Sequence, residues 1–407
     1  KRGGIVAIEP SSGEILALVT APTYNPNMLV GRKRSKNSVL LFNDTISKPS
    51  YDRGLLAAYP PGSPFKMMNA LIGLQENVIN EETHFYCYNG YKYGRSKDAF
   101  MGCHCGIYAK PIKLRTAIAK SCNSYFSNTY KRIVEKNKKP SEGLDNWNKH
   151  VSSFGLGDYL GYDISIVKPV NIPDGAYYDS MYPDFRWRAT TNISNSIGQG
   201  EVLVTPIQLA NMMAAIANRG HYFTPHIIKS IEGQPIDDKY TTKHQTTIDK
   251  QHFEPVIQGL FDVYDKPGGT ANFLQVPDIE ICGKTGTAEN FTIIDGVKTQ
   301  LTDHSIFVAF APKENPKIAL AVLVENGYFG ARFAGRIASL MIEKYLKGDI
   351  TRTDLERWVM SYTLEHEYDK PTSGKPFKIN ANSGLMTVEE YERLKKAEKN
   401  QIQTDTQ

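Results

Sequence analysis

The stretch AYPPGSPFKMMNALIGL, residues 58–74, places a serine at the start of an apparent helix and a lysine three residues later. Apolar residues recur at helical spacing from Phe65 to Ile72, which predicts a helix here. Residues three apart on a helix share a face, with about 5–6 Å between their Cβ atoms. The amine of Lys66 can therefore reach the hydroxyl of Ser63, which is either an ordinary helix cap or a nucleophile.

The Ser-x-x-Lys pattern occurs a second time, at Ser165 and Lys168, and its surroundings separate the two copies. The second copy lies in a β-branched stretch that ends at Pro169, which favours an extended backbone. In an extended segment, residues three apart point to opposite faces. Only Ser63 and Lys66 are therefore retained as a candidate catalytic pair.

Two further short motifs follow along the chain. Ser121-Cys122-Asn123 lies at the junction of two helical segments, where a bend can direct side chains into a cleft. A second Ser-x-Asn begins at Ser35, in the basic and loop-like sequence GRKRSKNS, and is set aside. Lys284-Thr285-Gly286-Thr287 occurs once, on a strand-like segment whose glycine would let a substrate backbone approach. Each motif alone has an ordinary structural explanation.

Strand patterns lie at both ends of the chain. Residues 3–22 alternate around a Pro-Ser-Ser-Gly turn and predict a β-hairpin, and residues 278–327 predict three more strands before a closing helix. We therefore expect an α+β fold, with an antiparallel sheet from about residues 1–30 and 275–348 flanked by helices. A mostly helical part occupies about residues 60–270, where Thr205 and Pro206 are typical of a helix start. Residues 349–407 are predicted to be a polar tail.

Composition and charge argue against a nucleic-acid-binding protein and against a membrane-spanning helix in this sequence. The 407 residues carry a formal charge of +5 spread along the chain, without the dense Lys/Arg arm of many nucleic-acid-binding proteins. The longest purely aliphatic run, Ile318–Val324, is far shorter than the roughly 20 residues of a spanning helix. The chain starts abruptly with Lys-Arg-Gly-Gly, which we interpret as the start of a fragment.

Together and in this order, the three motifs are the signature of penicillin-binding proteins and class A β-lactamases. The chain resembles the transpeptidase domains of class B penicillin-binding proteins, most of all the elongation-type penicillin-binding protein 2 group. The likeness covers about residues 3–348 and includes VAIEPSSGEILALVTAPTYNPN, YPPGSPFK, NSIGQGEVLVTPIQLA and GKTGTAE. It implies the penicillin-binding protein/β-lactamase-like transpeptidase fold and a peptidoglycan D,D-transpeptidase that works through a serine acyl-enzyme.

The resemblance also implies roles for the first two motifs. Ser63 would attack the carbonyl of a D-Ala-D-Ala stem peptide, and neutral Lys66 would take its proton. Ser121 would relay a proton to the leaving group, and Asn123 would hold the substrate amide. The acyl group would then pass to an amine of a neighbouring stem peptide, which closes a cross-link in the cell wall.

The third motif would bind and polarise the substrate. Lys284 would add positive potential, while Thr285 and Thr287 would bind the terminal carboxylate beside Gly286. The backbone N–H groups of Ser63 and Thr287 would form the oxyanion hole.

A cysteine-rich segment between the first two motifs departs from this pattern. It packs four candidate zinc ligands into 19 residues: Cys87, Cys103, His104 and Cys105. Asp98 or Cys122 could replace one ligand. A disulfide from Cys87 or simply buried thiols are the alternatives. The fifth cysteine, Cys282, lies on a strand next to Gly283 and is predicted to be a core residue.

Catalysis by this chemistry needs no cofactor, so zinc would be structural. The resemblance implies stem peptides as substrates, β-lactams as covalent inhibitors, and a membrane glycosyltransferase and elongation-complex proteins as partners, with no nucleic acid. It also implies a catalytic domain on the periplasmic or outer side of the cytoplasmic membrane, here without the N-terminal anchor and pedestal domain of the family. A β-lactamase or β-lactam sensor, a D,D-carboxypeptidase and a non-catalytic scaffold are the competing functions.

Overall fold

A computed structural model describes residues 1–184, 186–294 and 296–368, and also Met386, Thr387, Glu389, Glu392, Arg393 and Lys396. Its strands run in chain order as follows: β1 (Gly3–Ile8), β2 (Ile15–Ala21), β3 (His84–Tyr86), β4 (Gly90–Lys92), β5 (Phe100–Gly102), β6 (Pro111–Lys113), β7 (Ile166–Val167), β8 (His221–Phe223), β9 (Lys243–Gln245), β10 (Cys282–Ile294), β11 (Val297–Ala311), β12 (Ile318–Val324) and β13 (Met386–Thr387).

The α-helices are, in chain order: α1 (Arg34–Asn43), α2 (Lys66–Gln75), α3 (Leu114–Ala119), α4 (Asn123–Val134), α5 (Pro140–Ser152), α6 (Gly175–Met181), α7 (Pro206–Ala217), α8 (Asp238–Thr241), α9 (Phe253–Asp265), α10 (Ala334–Lys347), α11 (Thr353–Ser361) and α12 (Glu365–Tyr368). Among the described helices, none combines the length and the apolar composition needed to cross a membrane.

One five-stranded antiparallel sheet joins the two ends of the chain. Its strand order is β10-β11-β12-β1-β2, so the first hairpin joins the three later strands through the pairing of β1 with β12. All seven residues of β12 are buried, as expected for an interior strand that is covered on both faces. The predicted α+β fold and the predicted origin of the sheet are confirmed.

The helical part packs around α2. All residues of α2 except Gln75 are buried, and Trp147 of α5 packs edge-on against Phe65 and Tyr130. The indole N–H of Trp147 donates to Asn69 Oδ1 at 2.8 Å, which satisfies both buried groups. Helix α7, buried at every position, contacts both the sheet and the helical part. The start of α2 is thereby held rigidly against the sheet.

The folded chain continues past the predicted boundary at residue 348. Helix α11 packs Trp358 and Tyr362 against Phe333, with ring centroids 5.2 Å apart in both contacts, and Leu364 is fully buried. This segment has a packing face despite its polar average composition, because four of the seven residues from 358 to 364 are packed apolar side chains: Trp358, Val359, Tyr362 and Leu364. Most of the predicted tail, residues 369–407, lies outside the described residues.

A buried ion pair connects the segment before Ser63 to the end of β12. Arg53 is only 3% exposed, and its Nε lies 2.9 Å from Glu325 Oε1. Tyr59 donates to the same oxygen at 2.6 Å. Burial alone would raise the pKa of Glu325, but the Arg53 charge and the Tyr59 hydrogen bond outweigh it and hold that pKa below its usual value of 4.5.

We expect Glu325→Gln to lower the free energy of unfolding at pH 7 by about 3 kcal/mol, because it leaves Arg53 buried without its counter-charge. The carboxylate stabilises the fold above the unfolded-state pKa, and this contribution is lost as the pH falls through the lower folded-state pKa. Urea unfolding should therefore show a stability difference between the two proteins that begins to shrink as the pH falls below the unfolded-state pKa of about 4.5.

The matched control is Glu314→Gln, which removes an exposed partner of Arg219 and should cost less than about 1 kcal/mol at either pH. A loss at Glu325 as small as that of the control would contradict the prediction.

Candidate active site

Ser63 begins a short 3-10 turn, Ser63–Phe65, and α2 starts only at Lys66. Gly62 precedes it in a left-handed conformation, with φ of 62°. A Cβ on Gly62 would lie 2.8 Å from the carbonyl oxygen of Thr287, so only glycine lets the backbone approach β10 this closely. The turn that carries the first motif therefore packs directly on the third motif.

Lys66 is 1% exposed and points toward the second motif. Its Nζ donates to Ser121 O at 2.8 Å, Ser121 Oγ at 3.1 Å and Asn123 Oδ1 at 2.5 Å. Removal from water disfavours the ammonium form and lowers the pKa of Lys66 to about 8. A neutral amine, the form that can accept a proton, is therefore accessible near neutral pH.

The second motif occupies the predicted break between two helices. Ser121 has φ of 55°, a left-handed conformation that is uncommon for a residue with a side chain. This turn lets α4 start at Asn123 and aims both polar side chains at Lys66. Ser121 Oγ lies 3.0 Å from Ser63 Oγ. Asn123 is fixed from the other side, since its Nδ2 donates to Gly102 O at 2.7 Å.

These contacts define a route for a proton. In the described part of the chain, the hydrogen bonds of Lys66 Nζ lead to Ser63 through Ser121, rather than directly as the sequence analysis expected. An ammonium has three N–H groups, matching its three acceptors, whereas a neutral amine has two N–H groups and a lone pair. Of the three acceptor atoms, only Ser121 Oγ carries a proton that it can donate to that lone pair. In the structure Lys66 donates to Ser121 and Ser121 donates to Ser63. With a neutral Lys66 both hydrogen bonds reverse, so that Ser63 donates to Ser121, which orders the relay Ser63 to Ser121 to Lys66.

The third motif lies on edge strand β10. Lys284 is fully buried, and burial together with the nearby charge of Lys66 lowers its pKa well below the usual value. Thr285 and Thr287 are half-buried. A Cβ on Gly286 would lie 2.6 Å from Pro64 Cδ, so this glycine makes room for the first motif. The packing of the first motif therefore requires a glycine at position 286. The reason predicted from the sequence was the close approach of a substrate backbone.

Two residues outside the motifs also contact the third one. Gln199 Nε2 donates to Thr287 O at 3.0 Å, and the neighbouring Gly198 accepts a hydrogen bond from Gly62 N. Thr285 Oγ1 lies 2.9 Å from Thr270 Oγ1. In the sequence, the Gly-Gln-Gly segment was notable only for its family resemblance, and Thr270 belonged to no recognisable pattern.

Four cysteine thiols meet directly behind the second motif. The ligand atoms of Cys87, Cys103, Cys105 and Cys122 all lie within 4.8 Å of one another, and the four residues are buried. His104, which the sequence analysis named as a ligand, is exposed and lies outside this group. Its neighbours on both sides point inward, and adjacent residues of an extended segment face opposite ways. Cys122 takes its place.

The thiol group fits a tetrahedral metal ion. Zinc–sulfur bonds of about 2.3 Å imply sulfur atoms about 3.8 Å apart, and Cys103 Sγ lies 3.8 Å from Cys122 Sγ. Hydrogen bonds from the Cys122 thiol and from backbone N–H groups, including that of Asn123, lower the pKa of Cys103 and favour its thiolate. All five cysteines are free thiols in the structure, and Cys282 is fully buried on β10.

Known proteins share both the sequence pattern and the fold. Residues 3–343 match the family described as penicillin-binding protein transpeptidase domain. The peptidoglycan D,D-transpeptidase MrdA of Acinetobacter baumannii is 30% identical over 95% of this chain and 54% of its own length. The chain therefore spans little more than half of this relative.

Solved structures agree with that match. PBP2 of Pseudomonas aeruginosa in complex with WCK 5153 is 31% identical, with a TM-score of 0.71 over 87% of this chain and 76% of its own. The penicillin G acyl-enzyme of penicillin-binding protein A from Mycobacterium tuberculosis is 27% identical, with a TM-score of 0.67 over 85% and 74%. A structure describing the coordination of polymerization and crosslinking by a peptidoglycan synthase complex is 26% identical, with a TM-score of 0.73 over 86% and 56%.

If Lys66 accepts the proton of Ser63, acylation of Ser63 by penicillin should depend on pH. The rate should rise from pH 6 and level off above about pH 8, because a lowered lysine pKa means that the base is neutral above that pKa and protonated below it. Stopped-flow or quench measurements of acylation across this range provide the check.

Two variants test separately the role of Lys66 as the base and the role of Ser121 as the proton relay. Lys66→Met should abolish the pH dependence, and both it and Ser121→Ala should slow acylation by about 10²–10⁴-fold. A Ser121→Ala enzyme that keeps the native rate would show that Lys66 contacts Ser63 directly.

Proposed function

The chain belongs to the penicillin-binding protein transpeptidase domain family, and we propose that it cross-links peptidoglycan stem peptides through an acyl-enzyme on Ser63 during cell-wall elongation. The observation that carries this proposal is the hydrogen-bonded series Ser63–Ser121–Lys66 beside edge strand β10. It joins a nucleophile to a buried base with a lowered pKa at a place where an extended peptide can pair with a strand.

Acylation begins when Ser63 Oγ attacks the carbonyl carbon of the penultimate D-Ala. The proton of Ser63 passes to Ser121 while the proton of Ser121 passes to Lys66. Collapse of the tetrahedral intermediate breaks the peptide C–N bond, and the leaving amine of the terminal D-Ala takes a proton back through Ser121. The acyl group is now an ester of Ser63.

Transfer repeats these steps in reverse. The amine of a second stem peptide attacks the ester carbonyl and gives up a proton to the neutral relay. The ester C–O bond breaks, and Ser63 recovers its proton. The peptide groups at residues 63 and 287 would stabilise the oxyanion in both steps, which agrees with the close approach of Gly62 to Thr287.

The polar groups around the cleft would orient the donor peptide. Asn123 uses its Oδ1 on Lys66 and one N–H on Gly102, so one amide N–H remains for the substrate. Thr285 and Thr287 offer hydroxyl groups to the terminal carboxylate. Lys284 would add positive potential in its protonated form, which a bound carboxylate would favour.

β-Lactams would enter the same site as covalent inhibitors. The related penicillin-binding protein A forms an acyl-enzyme with penicillin G, which supports this part of the proposal. A transpeptidase must keep water from its acyl-enzyme until an amine arrives, whereas a β-lactamase must position a hydrolytic water. The lifetime of the adduct therefore separates the two functions.

Labelled penicillin should attach to Ser63 alone, and the adduct should persist for many minutes because the site binds an amine acceptor rather than an activated water. Peptide mapping by mass spectrometry and a chase with unlabelled drug measure both properties. Ser63→Ala should abolish labelling, while the matched Ser165→Ala in the second Ser-x-x-Lys should leave it unchanged.

Release of the label within seconds, with accumulation of penicilloate, would instead indicate a β-lactamase. Label recovered on Ser165 would remove Ser63 as the nucleophile.

We also propose that the domain acts beside a glycosyltransferase in an elongation complex, on the periplasmic or outer side of the cytoplasmic membrane. The structural relative that coordinates polymerization with crosslinking supports this assignment. Stem peptides on growing glycan strands would be the substrates in that setting.

A single structural zinc on Cys87, Cys103, Cys105 and Cys122 is part of the proposal. The support comes from four buried thiols at mutual distances that suit tetrahedral coordination. Bound zinc would supply rigidity and would hold the ligands as thiolates. Because Cys122 is the middle residue of the second motif, the thiol group would also fix the positions of Ser121 and Asn123.

Purified, unchelated protein should contain about one zinc per chain, since four thiolates complete a closed structural site. Cys122→Ser should lower both the zinc content and the melting temperature, whereas His104→Ala should change neither. Elemental analysis and thermal melts provide the measurements.

Zinc loss in His104→Ala would favour the ligand set expected from sequence. Zinc-free protein with a disulfide among these cysteines in mass spectra would contradict the metal site altogether.

A further inference from the structure

The loop of residues 266–270 lies between the second and third motifs, although no motif includes it. Thr270 N donates to Ala119 O at 3.3 Å, and Lys120 Nζ donates to Gly268 O at 2.7 Å. Both contacts are made with the residues that immediately precede Ser121. The loop is therefore attached to the backbone that carries the proton relay.

Gly269 packs closely against the end of α9. A Cβ on Gly269 would lie 2.4 Å from Val263 O and 2.5 Å from Asp262 O, so the chain passes directly over the end of α9. Arg115 of α3 pairs with Asp262, with Nη2 2.7 Å from Oδ1. These contacts join α9 to α3 and fix the position of Thr270 relative to the cleft.

Thr270 forms a pair of hydroxyl groups with the third motif. Its Oγ1 lies 2.9 Å from Thr285 Oγ1, and both residues are half-buried. A hydroxyl group has one proton to donate, so their mutual hydrogen bond uses one proton of the pair whichever residue donates. The second proton remains for a ligand. Because Thr285 donates to Thr270 in the structure, this free proton is that of the Thr270 hydroxyl group.

Neighbouring charges favour an anion at this pair. The ammonium group of Lys120 borders the loop, and the amine of Lys284, next to Thr285 on the same strand, adds to the positive potential in its protonated form. When a carboxylate binds, rotation of the Thr285 hydroxyl group frees the second proton as well. The two oxygen atoms and about four acceptor positions of the carboxylate then match two O–H donors. A neutral amide would present a single carbonyl oxygen and would gain little from the positive potential.

We propose that Thr270 is a substrate-binding residue whose hydroxyl group contacts the terminal carboxylate of the donor stem peptide together with Thr285. The inference rests on the proposed transpeptidase function and adds a contact from outside the three motifs. In this arrangement the loop of residues 266–270 couples carboxylate recognition to the backbone at Ser121.

The test compares acylation of Ser63 by penicillin, which carries the carboxylate, with acylation by the methyl ester of the same penicillin. Thr270→Val keeps the shape of the side chain and removes its hydroxyl group. It should slow acylation by the free acid about ten- to a hundredfold, the usual effect of one hydrogen bond to a charged group, and acylation by the ester by less than about threefold. Thr270→Ser, which restores the hydroxyl group, should recover most of the native rate.

Thr116→Val, at an exposed position of α3, is the matched control and should leave both rates unchanged. Rates are referred to the fraction of protein that penicillin can label, so partial misfolding does not alter the ratio between the two ligands. Equal slowing with acid and ester, or no slowing with either, would overturn the proposal. Failure of wild-type Ser63 to label at all would instead refute the proposed function.

Discussion

Burial of the Lys66 amine is the constraint on which the rest of the site depends. A lysine at 1% exposure loses its hydration and must find hydrogen-bond acceptors within the protein. Here they are two side-chain oxygens and one carbonyl oxygen rather than a carboxylate. Without a full counter-charge, these contacts do not offset the free-energy cost of removing the ammonium group from water, and the amine loses its proton more easily. The left-handed Ser121 follows from this need, because that turn presents both its carbonyl and its hydroxyl group to the same amine.

The sheet brings together residues that are far apart in sequence. Ser63 and Ser121 are 58 residues apart, and the third motif follows only after the whole helical part. Strand β10 joins the hairpin at the start of the chain through β11 and β12, and the turn before α2 packs on β10 through Gly62 and Gly286. A side chain at either glycine would push Ser63 away from the strand, so the geometry of the candidate active site depends on backbone contact as much as on the polar side chains.

Sequence periodicity predicted the parts of the fold that repeat locally. The hairpin, the last three strands and the start of α7 all carried clear patterns, and Thr205 forms a capping box with Gln208 as its position suggested. The three motifs were recognisable because their spacing is local. Thr270 and Gln199 were not, because each acts on a residue that is distant in sequence and belongs to a loop without periodicity. Composition also misled, since an average over residues 349–407 hid the four apolar side chains that pack α11 and the segment after it.

The difference between His104 and Cys122 shows how closely the thiol group and the catalytic site are joined. The spacing of cysteine and histidine along the sequence predicted four metal ligands within residues 87–105. In the structure the fourth thiol comes from the second motif itself. Asn123 N donates to Cys103 Sγ at 3.2 Å, and Asn123 Nδ2 donates to Gly102 O. Residues 102–105 therefore hold the start of α4 through a thiol, a backbone carbonyl and a shared cluster. Because Asn123 Oδ1 also accepts from Lys66, a displacement of the cysteine-rich segment would reach the buried amine through a single side chain, so the position of Lys66 depends on the packing of that segment.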